Sequence, residues 1–353
     1  MKIYQKYIIF NYLKNFFVIF LSLEFFYVGI DILSNYNKFP DSANLQLLYI
    51  VFKTLDAVNY SVPLSIVFAM IVTKFGMIKS NELVTLYAVG ITKKDIIKPL
   101  FFTSMSLTLI YISLNFTTFA YAYEYSRNLI KYHTIATASN GLFLKNKTEY
   151  IYFKKLNPIK KQATGIKIFT VEQNDLTQTI SAKRGHFSKD RWVLEDVAIN
   201  KKPRIGSIHD KGIKTVEQEK YITLKDFRPK IIENIHKGAY NMSIIDALDA
   251  LSFFSSQNIN LDRVKTLLYS HFFFPLFAPF LVVILFYKLP ISSRFFNLAL
   301  YSFVFIFVTL ATWGILFILT KLSSTSVIFP EIGVILPISL LGLFAISKYY
   351  KEN

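Results

Sequence analysis

The chain has 353 residues, 53% of them hydrophobic and 17% aromatic, and a mean hydropathy of +0.37 that soluble globular domains seldom reach. Forty Lys and Arg against 23 Asp and Glu give a net charge of +17, which in so apolar a chain is read by its position relative to a bilayer and not as a nucleic-acid footprint. With no cysteine, structural disulfides, thiolate metal sites and cysteine nucleophiles are excluded.

About 20 consecutive apolar residues cross the hydrocarbon core as a helix. Runs at about 7–33, 58–77 and 99–121 qualify before a long polar stretch, and runs at about 264–287, 295–319 and 327–347 after it. The first is no cleaved signal peptide: its apolar run is too long, Lys14 interrupts it, and no small-residue cleavage site follows. Inside it, Lys14 reads as snorkelling to the headgroups, Glu24 as paired within a helix bundle near the midplane, and Asp31 as contacting water near an interface. The segment LQLLYIVFKTLDAV, with Lys53 and Asp56, reads as an amphipathic helix lying on the membrane and not as part of span two.

After span two comes KFGMIKSNELVTLYAVGITKKDIIKP, residues 74–99, which reads as a short amphipathic helix at about 79–90. Ser80 and Asn81 are expected to cap its first turn through their side chains, and Gly90 to close its C-terminus. Lysines and arginines near the span ends orient the chain. Lys2, Lys6, Lys74, Lys79, Lys93, Lys94, Lys98, Lys288, Arg294, Lys348 and Lys351 fall on one side, against Lys38 and Lys321 on the other. This bias puts both termini and the capped helix in the cytoplasm and the large polar region outside, which in a Gram-negative cell is the periplasm.

From Leu142 to about Thr223 the pattern changes to period two, with Ile151 and Phe153 against Tyr150 and Tyr152, Ile166 and Ile168 around Lys167, and Trp192, Leu194, Val197 and Ile199 after the turn SKDR. Roughly eight short antiparallel strands follow from that alternation, in a sandwich, jelly roll or open barrel. The flanks YAYEYSRNLIKYHTIATAS and SIIDALDALSFFSSQNI read as helices, the second with Ile244, Ile245, Leu248 and Leu251 on one face. The fold class is therefore an α-helical membrane protein with six transmembrane helices in a 3+3 arrangement and an inserted antiparallel β-jellyroll-like domain. Residues 1–121 hold helices one to three, 122–263 the β domain with its helical flanks, and 264–353 helices four to six.

Catalytic chemistry is not legible here. None of the twelve glycines is followed by lysine, and no G-x-G pair or G-x-S-x-G elbow occurs, so ATP-binding, dinucleotide and nucleophile-elbow motifs are missing. The histidines at 133, 186, 209, 236 and 271 lack metal-ligand spacing. Glu195 and Asp196 are strand neighbours expected to point to opposite faces, a poor arrangement for paired acid and base work. The chain is expected to be no enzyme and to bind no metal or cofactor.

The 3+3 spans about a β-rich domain, the motif SNELVTLYAVGITKKDI after span two, and the stretches GLFLKNKTEYIYFKKL, GIKIFTVEQND and RWVLEDV resemble the lipopolysaccharide-export permeases of the LptF/LptG type, with the closer likeness to LptG. The resemblance runs from KYIIFNYL to the last span. It implies a permease subunit of an ABC transporter that extracts lipopolysaccharide from the inner membrane and passes it to periplasmic bridge proteins of the LptC/LptA kind. The implied partners are a paralogous LptF-like six-span permease and a cytosolic LptB-like P-loop ATPase dimer that supplies ATP hydrolysis, with no nucleic acid. In the family the short helix couples to the ATPase, which assigns Glu82 as polar contact, Leu83, Leu86 and Tyr87 as apolar anchors and Gly90 as its stop. Asn81 departs from the serine more usual before that glutamate. Lys38 matches a family basic position beyond span one, whereas Asp31 stands where another lysine is usual. Span one of one subunit and span five of the other form the lateral gate, making Phe25, Phe26, Phe303 and Phe307 candidate acyl-chain contacts. The alternative, a membrane-anchored periplasmic scaffold or sensor, needs one span and not six, and leaves the cytoplasmic side without an output domain.

Overall fold

The computed structural model describes residues 2–135, 139–146, 148–158, 160–172, 175–202, 212–225, 227–229, 232, 242–254, 261–290 and 297–351. Arg294 and the histidines at 209 and 236 lie outside them. The chain divides into two compact units: Met1–Ser126 with Ser243–Leu251 and Asn260–Asn353, and Arg127–Met242 with Ser252–Ile259.

The first unit is helical. Its elements are α1 (Ile3–Asn35), α2 (Ala43–Lys79), α3 (Glu82–Ala88) and α4 (Lys93–Leu114), then α5 (Ala122–Tyr132) running toward the second unit. The return brings α6 (Ile244–Phe254), α7 (Asp262–Phe272), α8 (Phe277–Lys288), α9 (Leu298–Ser324) and α10 (Leu336–Lys351). Among the described residues, six stretches are long and apolar enough to cross a membrane: α1, α2, α4, α7 with α8, α9, and α10 with the π-helical turn Glu331–Ile335 before it. Pro275, in the 3-10 turn Phe274–Leu276, separates α7 from α8 because its ring removes a helical N–H donor. Gly333 is required in the π turn, since a Cβ there would strike Ser323 Oγ and lie 3.0 Å from the Leu319 carbonyl.

Burial sorts these spans. The apolar window of α2 is 72% covered, whereas those of α1 and α9 are 17% covered. Along α8 every residue from Phe277 to Tyr287 except Phe280 is buried, so α2 and α8 form the core and α1 and α9 are outer helices. The buried stripe of α1, Ile8, Tyr12, Phe16, Glu24 and Val28, recurs at multiples of four residues, the spacing of one helix face. Tyr12 donates to the Ile66 carbonyl at 2.9 Å and Asn15 to Thr73 Oγ1 at 2.9 Å, which fixes the register of α1 on α2. Lys14 is exposed on the opposite side.

Two sequence expectations are corrected in this unit. Lys53 and Asp56 do not lie on a separate surface helix but within α2, which at 37 residues extends about 55 Å, well past a hydrocarbon core of about 30 Å. Lys53 Nζ sits 3.1 Å from Asp31 and 3.2 Å from Asp56 and lies 4.9 Å from the centre of the Tyr27 ring. Asp31 also accepts from the Tyr49 hydroxyl, so it serves an α1/α2 ion cluster and not simply bulk water. Glu24 is buried and accepts from Ser61, in keeping with a bundle-paired role. In α6 the buried face is Ile244, Ala247 and Ala250, while Ile245 and Leu248 are exposed. Ser243 and Asp246 form a reciprocal cap at its start, and the Ile244 N–H reaches the Asn115 carbonyl.

The second unit is one antiparallel sheet of six described strands, where about eight were expected. They are β1 (Ser139–Asn146), β2 (Glu149–Asn157), β3 (Gln162–Glu172), β4 (Asp175–Ser188), β5 (Arg191–Lys201) and β6 (Lys214–Thr223), paired in chain order. The row Leu142, Phe153, Ile166, Ala182, Val197 is buried, and so is the row Leu156, Ala163, Gly185, Leu194. Between them lie two rows that both face out, one carrying Lys155, Thr164, Arg184 and Glu195, the other Lys154, Gly165, Lys183 and Asp196. Strict alternation would turn one of these rows inward, so a crease crosses the strands and inverts the in-out phase. Gly141, Gly165 and Asp196 take positive φ on that line, on alternate strands. Glu195 and Asp196 therefore both face outward, contrary to expectation. The inner face closes on Trp192, whose indole N–H donates to the Phe227 carbonyl at 2.8 Å.

Candidate functional site

The short helix α3 forms where the sequence places it, but its capping differs. Asn81 adopts a left-handed conformation, φ 59°, with no side-chain cap, a backbone that Asn tolerates better than most residues. Ser80 Oγ instead donates to Glu82 Oε1 at 2.7 Å and to the Gly76 carbonyl at 3.0 Å. At the other end Gly90, φ 82°, lets its N–H reach the Tyr87 carbonyl and the Ile91 N–H reach the Leu86 carbonyl, the paired bonds of a Schellman stop.

Glu82 is held from two sides. Besides Ser80, the Tyr7 hydroxyl donates to its Oε2 at 3.0 Å, linking α3 to the first turns of α1. Leu83 is fully buried in the apolar core of the helical unit, and Leu86 and Tyr87 pack against that core. These three seat the helix on its own bundle. The side chains that α3 and its end leave exposed are Val84, Thr85, Ala88 and Val89. Leu83 points inward because the bundle core lies against that face, and Leu86 and Tyr87, three and four residues on, extend the same stripe.

Lys74, which the sequence places among loop cations, is 3% exposed within α2. Its ammonium donates to the Phe286 and Leu289 carbonyls, the latter at 2.9 Å, and lies 4.2 Å from the centre of the Phe286 ring. A cation on the last carbonyls of α8 satisfies groups that a helix end leaves without partners. This residue joins the core helix α8 to the last turns of α2, which lead into α3. Sequence reasoning missed it because a lysine at the end of an apolar run looks the same whether it snorkels outward or caps inward.

The aromatic candidates all face outward: Phe25 and Phe26 on α1, Phe303 and Phe307 on α9, each more than 60% exposed. The two helices both lean on α2; α1 otherwise packs on α4 and α9 on α7. Lys38 ends the turn Tyr36–Lys38 after α1 and is exposed. Seven residues before it, the Asp31 carboxylate is paired with Lys53, a partner it shares with Asp56. Among the described residues no group of three or more His, Cys, Asp or Glu is placed to hold a metal ion.

Residues 6–351 match the family described as lipopolysaccharide export system permease LptF/LptG, and the chain belongs to it. No individually curated protein matches the chain significantly. Membership makes it a multi-pass inner-membrane permease of the lipopolysaccharide export system, a transport subunit and not an enzyme.

Proposed function

We propose, from that membership, that the chain is the LptG-type permease of an ABC transporter, working beside a paralogous LptF-like permease on an LptB-like ATPase dimer. The chain binds no cofactor of its own, and ATP acts through the ATPase. Both termini and α3 face the cytoplasm and the sheet unit faces the periplasm, where LptC/LptA-like bridge proteins receive the lipid. The observation that carries this reading is the pairing of two poorly covered spans, α1 and α9, with outward phenylalanines on each. Lipid covers the bare apolar face of any spanning helix, but a gate between span one of one subunit and span five of the other needs an open face on both. Phe25 and Phe26 would then meet acyl chains on one side of the cavity and Phe303 and Phe307 on the other.

In this mechanism Glu82, held by Tyr7 and Ser80, is the polar contact to the ATPase, and Val84, Ala88 and Val89 are the apolar surface offered to it. Leu83, Leu86 and Tyr87 transmit the push because they root the helix in the bundle. ATP-driven closure tilts α3, the bundle follows as a packed body, the cavity narrows and the lipid leaves toward the periplasm. Lys38 meets the phosphorylated sugars at the outer rim. A photoreactive benzophenone residue in place of Phe25 or Phe303 should crosslink lipopolysaccharide in living cells, and one in place of Phe102 on α4 should not. Equal crosslinking at all three positions would remove the gate assignment.

A further inference from the structure

A groove of about 390 Å³ opens between α4, α8 and α10, away from the candidate residues above. Its walls are Phe101 and Phe102 from α4, Phe280 from α8, and Ile346, Tyr349 and Tyr350 from α10. Gly342 lets α10 approach the Phe280 ring, since a Cβ there would lie 3.1 Å from it. The volume falls in the range of about 300–1,000 Å³ typical of small-ligand sites. Phe102 and Tyr350 are more than two-thirds exposed, so the groove is open sideways, toward the place lipid occupies around a spanning helix.

Its rim is predominantly basic. Lys98 lines the groove, and Lys94 stands at the same end with its ammonium 5.3 Å from the centre of the Tyr349 ring and 6.0 Å from that of Tyr350. Drawn to the faces of two aromatic rings, the Lys94 ammonium is positioned at the lip while its N–H groups stay able to donate. The segments KKDIIK (93–98) and KYYK (348–351) that flank the mouth hold five lysines and one acid, and that acid, Asp95, is engaged by the Thr92 hydroxyl and N–H. An apolar slot with aromatic walls and a cationic lip is complementary to a lipid whose headgroup is an anion.

We infer that this groove is a binding site for an anionic glycerophospholipid, with an acyl chain along Phe101, Phe280 and Ile346 and the phosphate at Lys94 and Lys98. The site is separate from the transport path and stands on the spans alone, so it holds whether or not the chain exports lipopolysaccharide. A lipid seated there would brace α10 against α4 beside the start of the span that follows α3.

The test uses the full-length protein purified in detergent and exchanged against phosphatidylglycerol or phosphatidylcholine, with bound lipid counted by native mass spectrometry. Phosphatidylglycerol should be retained over phosphatidylcholine, and Lys94→Gln with Lys98→Gln should lower its retention by roughly tenfold or more, since each lysine near a lipid surface is worth about 1 kcal/mol. Ile346→Trp, which fills the slot and leaves both lysines, should lower retention of both lipids. Equal retention of the two lipids by the unaltered protein would overturn the inference, as would undiminished phosphatidylglycerol binding in the double-lysine variant. Retention lost in the lysine variant but kept in Ile346→Trp would place the lipid on the charged surface and overturn the groove.

Discussion

At the scale of single residues, buried charges decide most. Lys74 removes a full charge from solvent and recovers it through the two carbonyls at the end of α8. Lys74→Met keeps the stem and deletes the donor, and should lower stability by roughly 2–3 kcal/mol, the usual range for charged hydrogen bonds, read as an earlier thermal loss of monodisperse protein in detergent. Lys74→Arg should recover part of that loss, because the carbonyls need a donor more than a particular shape. Glu82 plays a different role, since its partners Tyr7 and Ser80 orient a side chain that stays partly exposed. Glu82→Lys should leave membrane insertion intact, lower thermal stability by about 1–2 kcal/mol because the carboxylate's bonds to Tyr7 and Ser80 are lost, and abolish co-purification of the ATPase. Intact co-purification would remove the coupling role from this residue.

At the scale of elements, the α1/α2 pair and the creased sheet show how local rules are overridden. Lys53 is shared by Asp31 and Asp56, so Lys53→Met leaves two carboxylates close together and largely buried. Breaking such a buried cluster should cost about 3–5 kcal/mol, and the same substitution in an Asp31→Asn, Asp56→Asn background should cost much less; equal costs in a double-mutant cycle would mean the charges do not interact. In the sheet, Gly165 takes φ 63° with an added Cβ only 2.7 Å from Lys154 Cβ. Gly165→Ala should destabilise the sheet unit by about 1–2 kcal/mol, the scale of left-handed strain, with the steric term added, visible as faster proteolysis of that unit.

These same elements mark what the sequence could and could not reveal. The six spans and the strand segments were legible because hydropathy and alternation are properties of neighbours in the chain. The continuity of α2 through Lys53 was not, since one of the two carboxylates that pair with Lys53, Asp31, lies 22 positions earlier on another helix. Nor was the crease, which reverses the alternation that identifies a strand. Trp192 and Leu194 pointing the same way as Val197 and Ile199 could have given it away, because the step of three breaks period two. On α3 the motif located the helix and the stop at Gly90, but pattern alone could not say that Leu83 roots inward while Val84 and Val89 are exposed. That choice is made by the core it packs against.

At the scale of the whole molecule, the helical unit has a firm centre in α2 and α8 and two bare flanks in α1 and α9. Its outer helices leave apolar faces open, as the proposed gate between two permease subunits requires. The most direct measurement is gentle detergent purification of the tagged chain from its native membrane, with all co-purifying proteins and lipids identified by mass spectrometry. A P-loop ATPase, a second six-span permease and lipopolysaccharide are expected together. Recovery of the chain alone, or with periplasmic proteins and no ATPase, would contradict the proposed function and favour an anchored scaffold.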